Sequence, residues 1–331
     1  MTRVPNAVRR LAAVALAMGA TSARAQPAGT LYVSNEGAHT VSIVDVAAGR
    51  VVATIPTGSR PRGIQTSPDG RRVYVALSDE HPNALGRGDA IAEIDVATRR
   101  IVARHPVGTD PEQFGVTPDG TRIFASNEDA GTASAVDLRT GRMVETVVVG
   151  IEPEGVAVSP DGRWVYVTAE TSNSVSMIDV VSAKVIANAL VDVRPRGVAF
   201  SPDGRRAYVT AEIGGSLTVL DTRTHETIET IELEGGLGKP VGVAASPDGR
   251  RIYVANGAAG RVTVVDAARL RTIASIPVGR RPWGIAVSRD GRFVYTANGL
   301  SNSLSVIDAA TQRVIVTIPV GERPWGVAVG R

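Results

Sequence analysis

The chain has 331 residues, 43% of them apolar, and a formal net charge of +3. A chain of this length removes about 75% of its unfolded surface from water, and with no cysteine it has no disulfides, thiolate metal sites or cysteine nucleophiles. The first 25 residues hold four Arg and no acid, so the remainder carries 32 Lys and Arg against 33 Asp and Glu; with aromatics at 4%, it lacks the basic footprint and stacking platforms of a nucleic-acid binder.

Arg3, Arg9 and Arg10 precede an apolar run at 11–17, and Ala23-Arg24-Ala25 places small residues where a signal peptidase reads. Residues 1–25 are therefore expected to be a cleaved secretory signal, and residues 26–331 a single domain exported to the periplasm or beyond. The apolar run falls well short of the ~20 residues that span a bilayer, so no membrane span is expected after cleavage. Arg9-Arg10 is the one mark of twin-arginine export, without its usual flanking residues, and general secretion is the expected route.

Downstream the chain breaks into short alternating apolar runs separated by turn residues, the pattern of strands. The first runs are 31–34, 41–44 and 51–55. An aromatic opens an equivalent run at Tyr32, Tyr74, Phe124, Tyr166, Tyr208, Tyr253 and Tyr295, spaced 42, 50, 42, 42, 45 and 42 residues apart. An Asp closes the next run in each copy: Asp45, Asp95, Asp137, Asp179, Asp221, Asp266 and Asp308. The last full copy shows the whole unit, with runs at 284–288, 292–297, 304–307 and 314–318. Four strands at this period predict an all-β, seven-bladed β-propeller of four-stranded antiparallel blades, each burying both faces by stacking on its neighbours. The series begins with three strands and ends with a lone first strand at 325–329. That C-terminal strand is expected to join the N-terminal blade and close the ring, which removes an open sheet edge.

Residues that recur in every copy are most simply structural. The Ser-Pro-Asp-Gly tetrads at 67–70, 159–162, 201–204 and 246–249, with variants at 117–120 and 288–291, are expected as hairpin turns, and the recurrent Asp residues as turn acceptors.

Function is sought where the copies diverge. In an antiparallel meander the start of the first strand and the end of the second lie on one face of the disc, which therefore collects two variable loops per blade. The first, x-Pro-x, reads Arg60/Arg62, Asp110/Glu112, Glu152/Glu154, Arg194/Arg196, Lys239/Val241, Arg281/Trp283 and Arg323/Trp325. The second carries Glu36, Asp79 with Glu80, Glu128, Glu170 and Glu212, then Gly257 and Gly299. The face is predicted to be acidic in mid-sequence and rich in Arg and Trp near the closure. Solvated surface charge accounts for most such residues taken singly. Trp283 and Trp325 have two readings, a plug for the channel or an anchor for a ligand or partner. The candidate binding face is Arg62, Arg196, Trp283, Trp325, Glu36, Glu112, Glu128, Glu154, Glu170 and Glu212.

The second copy holds an eight-residue insertion within 78–89. Its Asp79, Glu80, His81 and Asp89 offer hard oxygens and one imidazole, able to hold a divalent cation or a partner's basic group, although the spacing matches no defined calcium loop and a surface insertion is the simpler reading. A smaller insertion at 236–238 is expected as a mobile tip. The four histidines, His39, His81, His105 and His225, are too dispersed for a multi-histidine metal centre. No Gly-x-Ser-x-Gly elbow and no phosphate-cradling glycine loop is present.

The pattern Pro-x-Gly-[Val/Ile]-x-x-Ser-Pro-Asp-Gly, Tyr-Val-[Thr/Ser/Ala]-[Asn/Ala], Ser-[Ile/Met/Val]-[Val/Ile]-Asp resembles the YVTN family of seven-bladed β-propellers across essentially all of 26–331. Less generic segments are similar to those of its members associated with pyrroloquinoline quinone (PQQ)-dependent catabolism: TLYVSNE, Asp110-Pro111-Glu112, VGIEPEG, VDVRPRG, AEIGG, YTANGLSNSLSV and RPWGVAV. The insertion at 78–89 departs from that pattern. The resemblance implies an exported protein acting beside quinoprotein alcohol-oxidation and transport systems; a monomeric, non-catalytic scaffold or binding protein is expected, whose partner is a periplasmic quinoprotein dehydrogenase or a transporter component. No bound PQQ or other cofactor is expected, because the docking repeats of quinoprotein dehydrogenases are absent; Ca²⁺ is the one candidate ion. The alternative is a propeller enzyme, a lactonase-like hydrolase or metal-dependent lyase, with Glu36, Glu112, Glu128, Glu154 or Glu170 meeting at the channel mouth. A surface adhesion module is a third reading.

Overall fold

The computed structural model describes residues 1, 27–79 and 88–331; the expected signal segment and residues 80–87 of the insertion lie outside them, apart from Met1. Seven four-stranded antiparallel sheets form the propeller, and the only helical element among the described residues is the short 3-10 turn Glu234–Gly236. Thr30–Asn35, Thr40–Asp45 and Arg50–Pro56 form the first blade with Pro324–Val329, which pairs antiparallel with Thr30–Asn35 in the register Leu31↔Val329 and Val33↔Val327. The last strand thus closes the ring as the sequence predicts.

Burial varies with radius. Outermost strands such as Lys184–Leu190 alternate exposed and half-buried residues, whereas second strands such as Trp164–Ala169 are buried from Val165 to Ala169. The middle of each sheet is covered on both faces by adjacent blades, so alternation gives way to continuous apolar burial. Tyr166, Tyr208, Tyr253 and Tyr295 sit in this layer, and clusters such as Tyr32, Val41 and Ile43 with Val73, Val75 and Leu77 cross between blades.

The recurrent polar residues build turns. Asp45, Asp95 and Asp308 accept the backbone N–H of Ala48, Thr98 and Thr311. In the tetrad at 201–204, Ser201 Oγ donates to Asp203 Oδ1 at 2.6 Å and accepts the N–H of Arg206 at 3.0 Å, while Gly204 takes φ +70°. The Ser201 hydroxyl, helped by the Arg205 N–H, holds the Asp203 carboxyl below its ordinary range. The insertion at 236–238 follows an anchored base, where Leu233 is fully buried and the Glu234 carboxylate accepts the Thr263 hydroxyl, while Leu237 at its centre is exposed.

The innermost strands carry the feature that places the site. Their pairing skips residues just after the leading proline, as between Pro153 and Val156 or Pro240 and Val243. In four blades a hydroxyl of the preceding blade captures the carbonyl of the residue following that proline. Ser34 Oγ donates to Arg62 O at 2.6 Å, Ser126 Oγ to Glu154 O at 2.7 Å, Thr168 Oγ1 to Arg196 O at 2.8 Å, and Thr210 Oγ1 to Val241 O at 2.5 Å. The adjacent glycines permit the approach, since a Cβ on Gly242 would lie 2.2 Å from Trp283 O. Gly242→Ala should therefore cost about 1–3 kcal/mol through backbone displacement, read as a lower denaturant midpoint at unchanged slope.

Candidate functional site

Arg62, Glu154, Arg196 and Val241, pinned in this way, form one tier around the channel mouth with the equivalent residues Glu112, Trp283 and Trp325. Glu154, Arg196, Trp283 and Trp325 line both a cup of about 320 Å³ at the mouth and a channel cavity of about 490 Å³, so this tier lies between the two.

A backbone clip joins the two variable loops in six of the seven blades, the exception being the blade that carries the insertion. Asp110, Glu152, Arg194, Lys239, Arg281 and Arg323, each just before a leading proline, adopt φ between 48° and 60°, a left-handed conformation that costs side-chain-bearing residues on the order of 1–3 kcal/mol. In return their carbonyls accept the N–H of the second-loop residue: Glu128 to Asp110 at 3.1 Å, Glu170 to Glu152 at 2.9 Å, Glu212 to Arg194 at 2.8 Å, Gly299 to Arg281 at 2.8 Å and Glu36 to Arg323 at 2.9 Å. The second-loop carboxylates are thereby carried to the mouth.

There the acidic residues meet arginines in two clusters. Arg62 pairs with Glu112, lies 3.5 Å from Glu36 and 3.7 Å from Glu128, and is joined by Arg60, which bonds Asp110 at 2.8 Å. Arg196 bonds Glu154 at 3.0 Å, Glu212 at 2.8 Å and also Glu170, while Arg194 holds Glu170 at 2.6 Å and Glu212 at 3.4 Å. Glu112 is 0% exposed and Glu154 and Glu170 are 3% exposed, so these are largely desolvated pairs in which each charge needs its partner. Arg60, Arg62, Arg194 and Arg196 thus lie among the acidic residues, paired with them across adjacent blades.

Crowding sets the protonation. Burial, and next the charge of Glu154, pushes Glu128 up to about 7 against the opposing pull of Arg62. Burial and Glu154 push Glu170 up to about 8, with Arg196 and Arg194 opposing. Burial works against the charge of Arg196, but Glu154, Glu170 and Glu212 outweigh it and raise its pKa.

The other side of the cup is aromatic. The Trp283 and Trp325 rings lie 6.0 Å apart at 42°, and the guanidiniums of Arg281 and Arg196 sit 4.7 and 5.3 Å from the Trp283 centroid. Arg281, Arg323 and Leu300 complete the rim. Arg60, Asp110, Arg194, Arg281 and Arg323 were legible only as loop residues. Their shared signal is the proline that follows each of them.

The insertion is anchored at its base. Asp79 N–H donates to Asp89 Oδ1 at 2.8 Å, Asp79 Oδ2 accepts Gly88 N–H at 3.0 Å, and Asp89 Oδ2 accepts Asp110 N–H at 3.1 Å. Burial raises the Asp89 pKa. Both carboxylates thus serve the backbone; Glu80 and His81 lie outside the described residues. The carboxylate set with cation-binding spacing is instead Asp110, Glu112 and Glu128, whose oxygens lie within 4.8 Å of one another. Arg60 and Arg62 already supply the cationic groups at this set, so it does not fit a Ca²⁺ cage of six to eight oxygens. His105 is buried against Glu93 at 2.9 Å, and His225 Nδ1 meets Tyr166 Oη at 2.7 Å, both away from the cup.

Two family models match the sequence. The Cytochrome D1 heme domain matches residues 155–239 and 207–326, and the choice-of-anchor I domain matches residues 11–191. No curated protein matches the chain. Among solved structures, hydrazine synthase of Kuenenia stuttgartiensis is 24% identical with a TM-score of 0.77, covering 85% of this chain and 93% of that one. A putative 6-phosphogluconolactonase from Bacteroides uniformis is 18% identical, TM-score 0.74, over 91% and 98%. Dihydro-heme d1 dehydrogenase NirN in complex with DHE is 20% identical, TM-score 0.64, over 90% of this chain and 65% of that one. At these identities the likeness is one of fold. The described lining of the cup contains no His, Met, Tyr or Cys to ligate a haem iron, so the mouth does not fit a haem. No helix among the described residues is long and apolar enough to cross a membrane.

Proposed function

The chain belongs to the β-propeller family that these two models describe, and on that premise we propose that it is a non-catalytic binding protein working through its channel mouth. The observation that carries this reading is the division of labour in the cup. Carboxylates of the acidic half are taken up by Arg60, Arg62, Arg194 and Arg196, whereas Trp283, Trp325, Arg281 and Arg323 face the cup with no carboxylate in ion-pair contact among the described residues. Trp and Arg are the residues in which binding energy concentrates. The basic and apolar start of the chain and its likeness to PQQ-associated propellers support a periplasmic or secreted site of action beside a quinoprotein alcohol-oxidation or uptake system. The partner is then a quinoprotein dehydrogenase or transporter component.

Capture of such a dehydrogenase on the immobilised protein tests the reading. Trp283→Ala should weaken capture more than tenfold, the ~2 kcal/mol of a binding hot spot, with the unfolding midpoint little changed. Capture unaffected by the substitution would remove the cup from the interface.

A second reading, a lactonase-like hydrolase or a lyase, is favoured by Glu128 and Glu170, whose raised pKa values of about 7 and about 8 suit proton transfer near neutrality. Turnover of a lactone that Glu128→Gln abolishes would establish it over the binding role.

A further inference from the structure

We propose that the aromatic side of the cup binds a small planar aromatic carboxylate, its ring against Trp283 and Trp325 and its anionic group on Arg281 and Arg323. This rests on the binding role given above and names the ligand class of the same site. A cup of about 320 Å³ lies at the lower end of small-molecule pockets, so it takes a compact ring system. The Trp283 face is already approached by two guanidiniums, Arg281 at 4.7 Å and Arg196 at 5.3 Å. Those cations occupy the place a cationic ligand would need; the Arg196 donors are taken by Glu154, Glu170 and Glu212, whereas the Arg281 guanidinium has no carboxylate among the described residues and is left for an anion.

The spare positive charge has a definite origin in the repeat. Arg194 and Arg281 are equivalent residues before a leading proline. Arg194 is neutralised by Glu170 and Glu212; at Arg281 the clipped second-loop residue is Gly299, which brings no carboxylate. Arg323 is clipped to Glu36, but the Glu36 carboxylate turns to Arg62 and Arg60 at 3.5 and 3.8 Å. Two exposed guanidiniums therefore flank the only paired tryptophans among the described residues.

Intrinsic fluorescence reads the site, because two of the three tryptophans line it and Trp164 lies elsewhere, 5.1 Å from His225. Titration of the exported chain with trimesate should quench this emission. The saturated cyclohexane tricarboxylate should bind several-fold more weakly, and Arg281→Gln and Arg323→Gln should each weaken trimesate on the order of tenfold, as expected for a hydrogen bond to a charged group. Equal binding of the saturated compound would overturn the aromatic part, and equal binding by the Gln variants the anionic part. No binding of trimesate by a protein that still captures the dehydrogenase would overturn the ligand class while leaving the binding role standing. Loss of dehydrogenase capture with trimesate binding retained would instead remove the protein partner and keep the ligand site.

Discussion

Arg196→Ala should lower stability by about 3–5 kcal/mol, the cost of leaving buried charge without its partner, and the loss should be larger at about pH 9 than at about pH 5. Arg196 is 11% exposed and touches Glu154, Glu170 and Glu212 together. Its removal leaves the buried Glu154 without an arginine and Glu170 and Glu212 with Arg194 alone. The pH dependence follows from the direction of the shifts. Glu128 and Glu170 titrate at about 7 and about 8 in the folded protein, against about 4.3 in an unfolded chain. Between these values the native state holds protons that the unfolded state has released, so stability falls as pH rises through the folded pKa values. Arg196 is one of the groups that lower the Glu170 pKa, and without it that pKa climbs further. Acid then relieves the variant by protonating the stranded carboxylates, and alkali exposes the full penalty. Urea midpoints at the two pH values measure the difference, and Arg196→Ala with Glu170→Gln should recover part of it. An equal loss at both pH values would show that Arg196 acts by packing alone. Arg196→Lys should rescue poorly, since a single ammonium cannot reproduce the fork that reaches three carboxylates.

The ring was legible because the copies align one another. Tyr295 and Asp308 fix the second and third strands of the last full blade, and the missing first strand at residue 30 matches the surplus strand at 324–329. Turn acceptors were readable for the same reason, since Asp and Gly at fixed offsets leave one local solution. The pairing of the mouth was not. Arg62 meets Glu112 and Arg196 meets Glu154 across adjacent blades, and such contacts depend on the ring's curvature and on side-chain reach, which periodicity does not encode. Sequence therefore placed these residues on one face without the ion pairs that interleave them. The insertion shows the same limit. Asp79 and Asp89 suggested ligands, yet their oxygens go to backbone N–H groups at its base. Local hydrogen bonding of this kind satisfies a carboxylate as well as an ion does.

A chain ending at Arg323 should lose cooperative unfolding and self-associate. The strand Pro324–Val329 contributes Trp325, Val327 and Ala328 to the core and covers Leu31 and Val33, all buried. At about 1.5–3 kcal/mol for each large side chain fully buried, its removal takes a sizeable part of the roughly 5–15 kcal/mol that stabilises a typical domain. It also bares the inner edge of Thr30–Asn35, whose unpaired backbone groups would recruit another chain. Thermal unfolding and size-exclusion chromatography of the truncated protein measure both effects. A peptide of residues 324–331 added in trans should restore a single species, because the vacant edge specifies the register Leu31↔Val329. The same peptide with Gly326→Val should fail, since any Cβ there meets Ile64 Cγ2 and Ser34 Oγ at 2.9 Å. A truncated chain with the parent's midpoint would mean that the other six blades hold the ring without its closing strand. The tier that positions Arg62 and Trp325 would then have to be secured by the loops, and not by the hydrogen bonds of Ser34 to Arg62 O and from Gly326 N–H.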